Sequence, residues 1–177
     1  MWPLCQNCAL EIYGRNRPSR AYAERVARFL FVTGAHESAG YHQNRQTVFS
    51  APKHLGKGGH GYWQLEEIAI RGALQRMVDK PDLAHRSMKW LYDWYGADKD
   101  ILLSMQPQSV MLHTVIGWPK LCVLLARVFI LGEPRPIPFL STEQAEYWSK
   151  YYNKRDEEEK MLQWLEWSDI CKPVMEG

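Results

Sequence analysis

The sequence predicts a single, mainly helical domain, and three observations carry that expectation. Apolar residues recur at three- and four-residue spacings through most of the chain. Alternating strand patterns are nearly absent. The 177 residues, 46% apolar and 24% charged, suffice for one core but not for two, and lie outside the compositional range of disorder. Residues 1–17 are expected to form an N-terminal extension. From Ser19 to Glu37 the residues Tyr22, Val26, Leu30, Thr33 and Glu37 share one helical face, with Pro18-Ser19 as start signal and Gly40 as stop. A second helix is expected from near Trp63 through Leu65, Ile68, Ala69, Gly72 and Met77 until Pro81 breaks it. Further helices are predicted at Leu83 to Tyr95, Asp98 to Met105, Ser109 to Ile116, Leu121 to Leu131 and Thr142 to Asn153. Residues 154–177 carry a C-terminal helix patterned from Arg155 to Ile170. The proline-rich stretch Gly132 to Pro138 is a rigid connection that links elements without dividing domains.

Charge and cysteine usage exclude several classes of function. With 22 basic against 20 acidic residues the formal charge is +2, so no broad field marks a nucleic-acid binder. The longest apolar stretch, Leu121 to Leu131, is interrupted by Arg127 and falls far short of the ~20 residues a membrane span needs. Membrane insertion is not expected. The start, Met-Trp-Pro-Leu-Cys-Gln-Asn-Cys, lacks a basic region followed by an apolar run, so no secretory signal is expected and the chain is read as made in a cytoplasm. Cys5 and Cys8 form one C-x-x-C with no second ligand pair, and His36-Glu37 lacks a histidine at position 40 to complete a zinc-protease motif. No metal and no cofactor are expected.

The segment from Ser38 to Gly61 is long, polar and glycine-rich. It holds Arg45, Lys53, Lys57 and three histidines but no acid, so a carboxylate-bearing polymer would be drawn to it. Glu37 stands immediately before this loop on the apolar face of its helix. A carboxyl turned into an apolar niche favours its protonated form, which is the form a general acid needs.

Glu37-Ser38, a polar loop and then Gly61-Tyr62-Trp63-Gln64-Leu65 resemble the Glu-Ser … Gly-Leu-Met-Gln pattern of soluble lytic transglycosylases and goose-type lysozymes. Bacteriophage-encoded members of that lysozyme-like superfamily show a similar Glu-Ser-x-Gly turn followed by Gly-x-x-Gln-x-Glu. Tyr152-Asn153 resembles the Tyr-Asn of the transglycosylase Tyr-Asn-Ala-Gly motif, although Lys154-Arg155 follows here. The 27 positions between Glu37 and Gln64 imply an insertion, and Ala39 displaces the expected glycine to position 40. The resemblance implies a lysozyme-like α+β fold, mainly helical, with a long active-site loop. It also implies that Glu37 is the catalytic acid, Ser38 the residue that orients it, Gln64 a group lining the sugar cleft and Gly61 a close turn. The partner implied is the glycan strand of peptidoglycan.

The loop supplies no second carboxylate for a two-acid hydrolase, and Glu66 is the nearest later candidate. A single Glu acting as acid and then as base, assisted by the substrate's own 2-acetamido or 6-hydroxyl group, is the lytic transglycosylase route that the resemblance implies. Cleavage of the β-1,4 bond after N-acetylmuramic acid, with an anhydro product, is therefore expected in preference to hydrolysis. Among the aromatic residues, Tyr62 and Trp63 are the candidates for stacking on sugar, while Trp90, Trp94, Trp118 and Trp148 are read mainly as packing. Arg127, embedded in an apolar run, is expected either to find a buried partner, in a structural ion pair or with Glu66, or to snorkel to solvent. An alternative is a phage virion component, structural or for ejection, with little or no activity, whose apolar C-terminal helix docks on other virion proteins. The chain would accordingly act on the wall of the host as a lysis enzyme or travel in the particle.

Overall fold

Helix α1, Trp2–Glu11, occupies the stretch expected to be an extension. A computed structural model describes residues 1–42, 62–95, 118–153 and 158–177, with backbone alone for residues 67 and 92–95. In α1 a proline stands in the first turn, where its missing N–H leaves no hydrogen bond unmade. Trp2, Cys5, Cys8 and Ala9 are buried, and Ile12 after the helix is fully so. Residues 1–17 are thus not an extension, because their first half builds the core. The C-x-x-C spacing is the helical spacing of two packed thiols. Burial pushes the Cys8 thiol up to about 12 and raises that of Cys5 as well, so both are held as inert thiols.

Helix α2, Arg20–Glu37, begins where the sequence placed it. The Ser19 hydroxyl accepts the Tyr22 N–H at 3.2 Å and caps the first turn. Every residue from Phe29 to Ala35 is buried, so the second half of α2 is a central helix enclosed on all sides rather than an amphipathic one. Helix α3, Glu67–Asp79, starts a few residues later than expected, since residues 62–64 form a turn. Helix α4, Pro81–Tyr95, starts on its proline, which suits the first helical position. The expected helices at 98–105 and 109–116 lie outside the described residues. Helix α5, Pro119–Ile130, is buried continuously from Lys120 to Val128.

The predicted helix at 142–153 is two elements. Helix α6, Ser141–Tyr147, passes directly into a π-helical segment, Trp148–Asn153. Helix α7, Glu158–Glu176, runs further than expected, through Pro173, and buries Trp164, Ser168 and Cys171. The connection at 132–138 is held by burial of Ile137, whose carbonyl accepts from Arg25 at 3.3 Å. All the described helices share one apolar cluster, and no strand occurs among the described residues. Nor is any described helix long and apolar enough to cross a membrane.

Arg127 is 2% exposed, and among the described residues no acidic side chain pairs with it. Its Nε donates to the Ile12 carbonyl at 2.9 Å. That carbonyl lies at the C-terminal end of α1, where the helix dipole is negative, so the guanidinium caps α1 and ties it to α5.

Two measurements check this core. Ile12→Ala is expected to lower the unfolding free energy in urea by about 2–5 kcal/mol; an unchanged midpoint would return residues 1–17 to the periphery. Burial raises the pKa of Cys5, Cys8 and Tyr41 in the folded chain above the ordinary 9.0 and 10.0. The folded chain therefore keeps protons that the unfolded chain releases, so stability is full below about pH 9 and falls as the pH rises above it. Urea midpoints that stay flat from about pH 8 to pH 11 would contradict that burial.

Candidate functional site

Glu37 is the last residue of α2, and the way that helix ends decides where its carboxylate points. Ser38 is the C-cap. Its Oγ donates to the Gly34 carbonyl at 2.6 Å and accepts the Tyr41 N–H at 2.8 Å. Ala39, Gly40 and Tyr41 all take left-handed backbone angles, so the chain reverses at once. Tyr41 folds back on the helix, donating its hydroxyl to the Phe31 carbonyl at 2.6 Å. Trp63 arrives on the same surface and donates its indole N–H to the Leu30 carbonyl at 2.7 Å. Both rings pack on Gly34, where a Cβ would stand 2.7 Å from the Tyr41 hydroxyl and 2.8 Å from the Trp63 ring. Glycine at mid-helix costs about 1 kcal/mol of helix propensity, and that close packing requires it.

The π segment supplies the opposite wall. Trp148, almost fully buried, donates its Nε1 to Glu37 Oε1 at 3.1 Å. Tyr152 donates its hydroxyl to the Trp63 carbonyl at 2.7 Å and stands edge-on to Phe129 with centroids 5.7 Å apart. Burial, and next the negative charge of Glu37, hold the Tyr152 phenol well above its ordinary value, so it remains a donor. The Nδ2 of Asn153 is buried and has no hydrogen-bond partner among the described residues. A π-helical turn carries one extra residue, and such turns recur at functional sites. Here it brings Trp148, Tyr152 and Asn153 to the same place. His36 completes the surroundings, its Nδ1 3.9 Å from Glu37 Oε1 and its ring edge-on to Trp148 at 4.6 Å.

Between these walls lies a cavity of roughly 300 Å³. Glu37, Gln64, Glu66, Tyr152 and Asn153 give it polar groups, while Leu65, Ile68, Ala69 and Phe129 give it apolar walls. Five of the nine expected site residues therefore meet at one place, although they come from three separated stretches of sequence. Gln64 is held there by a left-handed backbone angle of 47° just before α3. Glu66, the N-cap of α3, is exposed at the rim.

Three of the remaining expectations are corrected. Ser38 is fully buried with both hydrogen bonds internal, so it shapes the helix end and does not line the cavity. Trp63 is fully buried core and cannot stack on sugar. Tyr62 packs edge-on against Tyr41 with centroids 5.7 Å apart and is not a cavity wall. Gly61, with most of the long loop, lies outside the described residues. Trp148, which the sequence reading placed among the packing aromatics, stands at the site. Its only signal is a place four residues before Tyr152, on what reads as an ordinary helix.

Compared with protein-family models, curated proteins and solved structures, the chain matches none. Among the described residues, no group of three histidine, cysteine or acidic side chains is placed to hold a metal ion.

The geometry makes Ser38 a structural residue with a measurable role. Ser38→Ala is expected to lower the unfolding free energy by about 1–3 kcal/mol, since it leaves the Tyr41 N–H without its acceptor. An unchanged urea midpoint would show that the turn after Glu37 does not depend on that hydroxyl.

Proposed function

We propose that this chain is a lysozyme-like glycosidase that cleaves the β-1,4 bond between N-acetylmuramic acid and N-acetylglucosamine in peptidoglycan, acting as a lytic transglycosylase. The observation that supports this reading is the meeting of Glu37, Gln64, Tyr152 and Asn153 around one cavity, as the sequence resemblance implies. The cavity combines a carboxyl group, neutral hydrogen-bonding side chains and apolar walls, which suits an uncharged sugar.

Glu37 Oε1 accepts from the Trp148 indole, which leaves Oε2 to carry the proton. No Lys or Arg pairs with this carboxylate among the described residues. In the proposed reaction Glu37 protonates the glycosidic oxygen as the C1–O4 bond breaks. The 6-hydroxyl of the muramic acid residue then attacks C1, forming the C1–O6 bond, and its proton returns to Glu37. One carboxyl group serves in both steps and no water is consumed. The Asn153 amide is a donor for a substrate oxygen, and Tyr152 holds the Trp63 carbonyl beside it. Glu66, in the same cavity, would be the second carboxylate if the reaction were hydrolysis. In this reading the protein is phage-encoded, made in the bacterial host and directed at its wall.

The alternative, a virion structural or ejection component with little or no activity, is favoured by one observation. Leu162, Ile170 and Val174 on α7 are each more than half exposed, a surface that a neighbouring virion protein would cover.

Incubation with purified peptidoglycan separates the readings. Wild type is expected to release anhydromuropeptides, and Glu37→Gln to lower the rate by about 10²–10⁴-fold. Glu66→Gln is expected to leave rate and product unchanged. Reducing-end products that vanish in Glu66→Gln would mean hydrolysis. Equal release by Glu37→Gln and wild type would remove Glu37 from the chemistry, and no release by any variant would favour the virion reading.

A further inference from the structure

Helix α7 is apolar on two sides, and its inward side is accounted for. The buried Trp164 indole donates to Thr33 Oγ1 of α2 at 3.3 Å, and the Ser168 hydroxyl stands 3.5 Å from that of Ser141 at the start of α6. On the other side Leu162, Ile170 and Val174 are 56%, 60% and 56% exposed. These three and Glu166 follow one another at four-residue steps, so they form one stripe about 18 Å long instead of scattered positions. The distribution is the reverse of what water favours, since the helix buries a serine and turns leucine, isoleucine and valine outward. A helix that is apolar on both sides is suited to being covered on both.

The charge around the stripe decides what fits it. Glu158, Glu159, Glu166, Asp169 and Glu176 are exposed on α7, and Lys172 is the one exposed cation of this helix. The chain as a whole has slightly more basic than acidic residues, 22 against 20, so the acidity belongs to this helix in particular. Pro173 adds acceptor capacity, because it stands inside the helix with no N–H to give the carbonyl of Asp169 four residues back. The face is therefore a row of apolar side chains among groups that accept hydrogen bonds and carry negative charge. It repels an anionic membrane or a nucleic acid, and a second copy of α7 would set acid against acid.

We propose that the outer face of α7 is a docking surface for a basic amphipathic helix of a partner protein. Apolar residues of that helix, at three- and four-residue spacings, pack between Leu162, Ile170 and Val174, and its lysines and arginines meet the flanking carboxylates. The surface is independent of the reading given to Glu37, since none of its residues lines the Glu37 cavity.

Fluorescence anisotropy of a dye-tagged synthetic helix of leucine and lysine, its leucines on one face, tests this against the full chain at physiological ionic strength. Saturable binding is expected, and a peptide of equal composition with its leucines scattered should bind about tenfold more weakly or less. Ile170→Ser and Glu166→Lys should each weaken binding by about tenfold, while Val78→Ser and Glu24→Lys, matching changes at exposed positions on other helices, should leave it unchanged. Absence of saturable binding, equal binding of the scattered peptide, or equal weakening by the matched variants would overturn the surface. A dimer in sedimentation that Ile170→Ser abolishes would give the face to a second copy. A urea midpoint that Ile170→Ser lowers as far as Ile12→Ala does would give it to this chain's own fold, and either result would overturn the proposal.

Discussion

The indole of Trp148 donates to the carboxylate of Glu37 across 111 positions of sequence, and the arrangement of the cavity depends on that bond. A buried indole N–H without an acceptor costs free energy, and so does a partly buried carboxylate without a donor. Each group supplies what the other lacks. The bond also fixes two backbones. It holds the last turn of α2 against the π segment, and the same π turn places Tyr152 on the Trp63 carbonyl and Asn153 at the cavity wall.

A neutral donor at Glu37 has a chemical consequence that an arginine would not. A guanidinium at the same distance would favour the carboxylate over the acid strongly and fix it as an anion. The indole orients one oxygen, and in the proposed reaction the other exchanges the proton. Burial of Phe29 to Ala35 makes the preceding helix a rigid post, and the left-handed turn from Ala39 to Tyr41 reverses the backbone directly after the carboxylate.

How much of this was legible in the sequence depended on whether the physical signal was periodic. The three- and four-residue spacing from Tyr22 to Glu37 gave the helix and the side from which Glu37 projects. The family resemblance pointed to Gln64, Tyr152 and Asn153, and the structure brings all three to the cavity at Glu37. The role of Ser38 was misread because a hydroxyl at a helix end finds the carbonyl four residues back more readily than a side chain beside it. Trp63 was misread because an aromatic beside a turn looks alike in sequence whether it faces a cleft or closes a core. The first helix was missed because two cysteines and an alanine form most of its buried stripe, and they carry a weak apolar signal. Arg127 was given an acid because only charged partners can be found by reading residues, whereas the carbonyl of Ile12 belongs to the backbone. The π turn was invisible for a related reason: one extra residue in a single turn leaves the composition unchanged and barely disturbs the period.

The most direct test of the account is a crystal structure of the Glu37→Gln chain with a peptidoglycan tetrasaccharide bound. The account predicts the sugar chain in the cleft between residues 37, 64 and 153, with the scissile glycosidic oxygen within hydrogen-bond distance of the residue 37 side chain and Trp148 still donating to it. Saccharide bound elsewhere on the surface, or Trp148 turned away from residue 37 with the cleft empty, would contradict it.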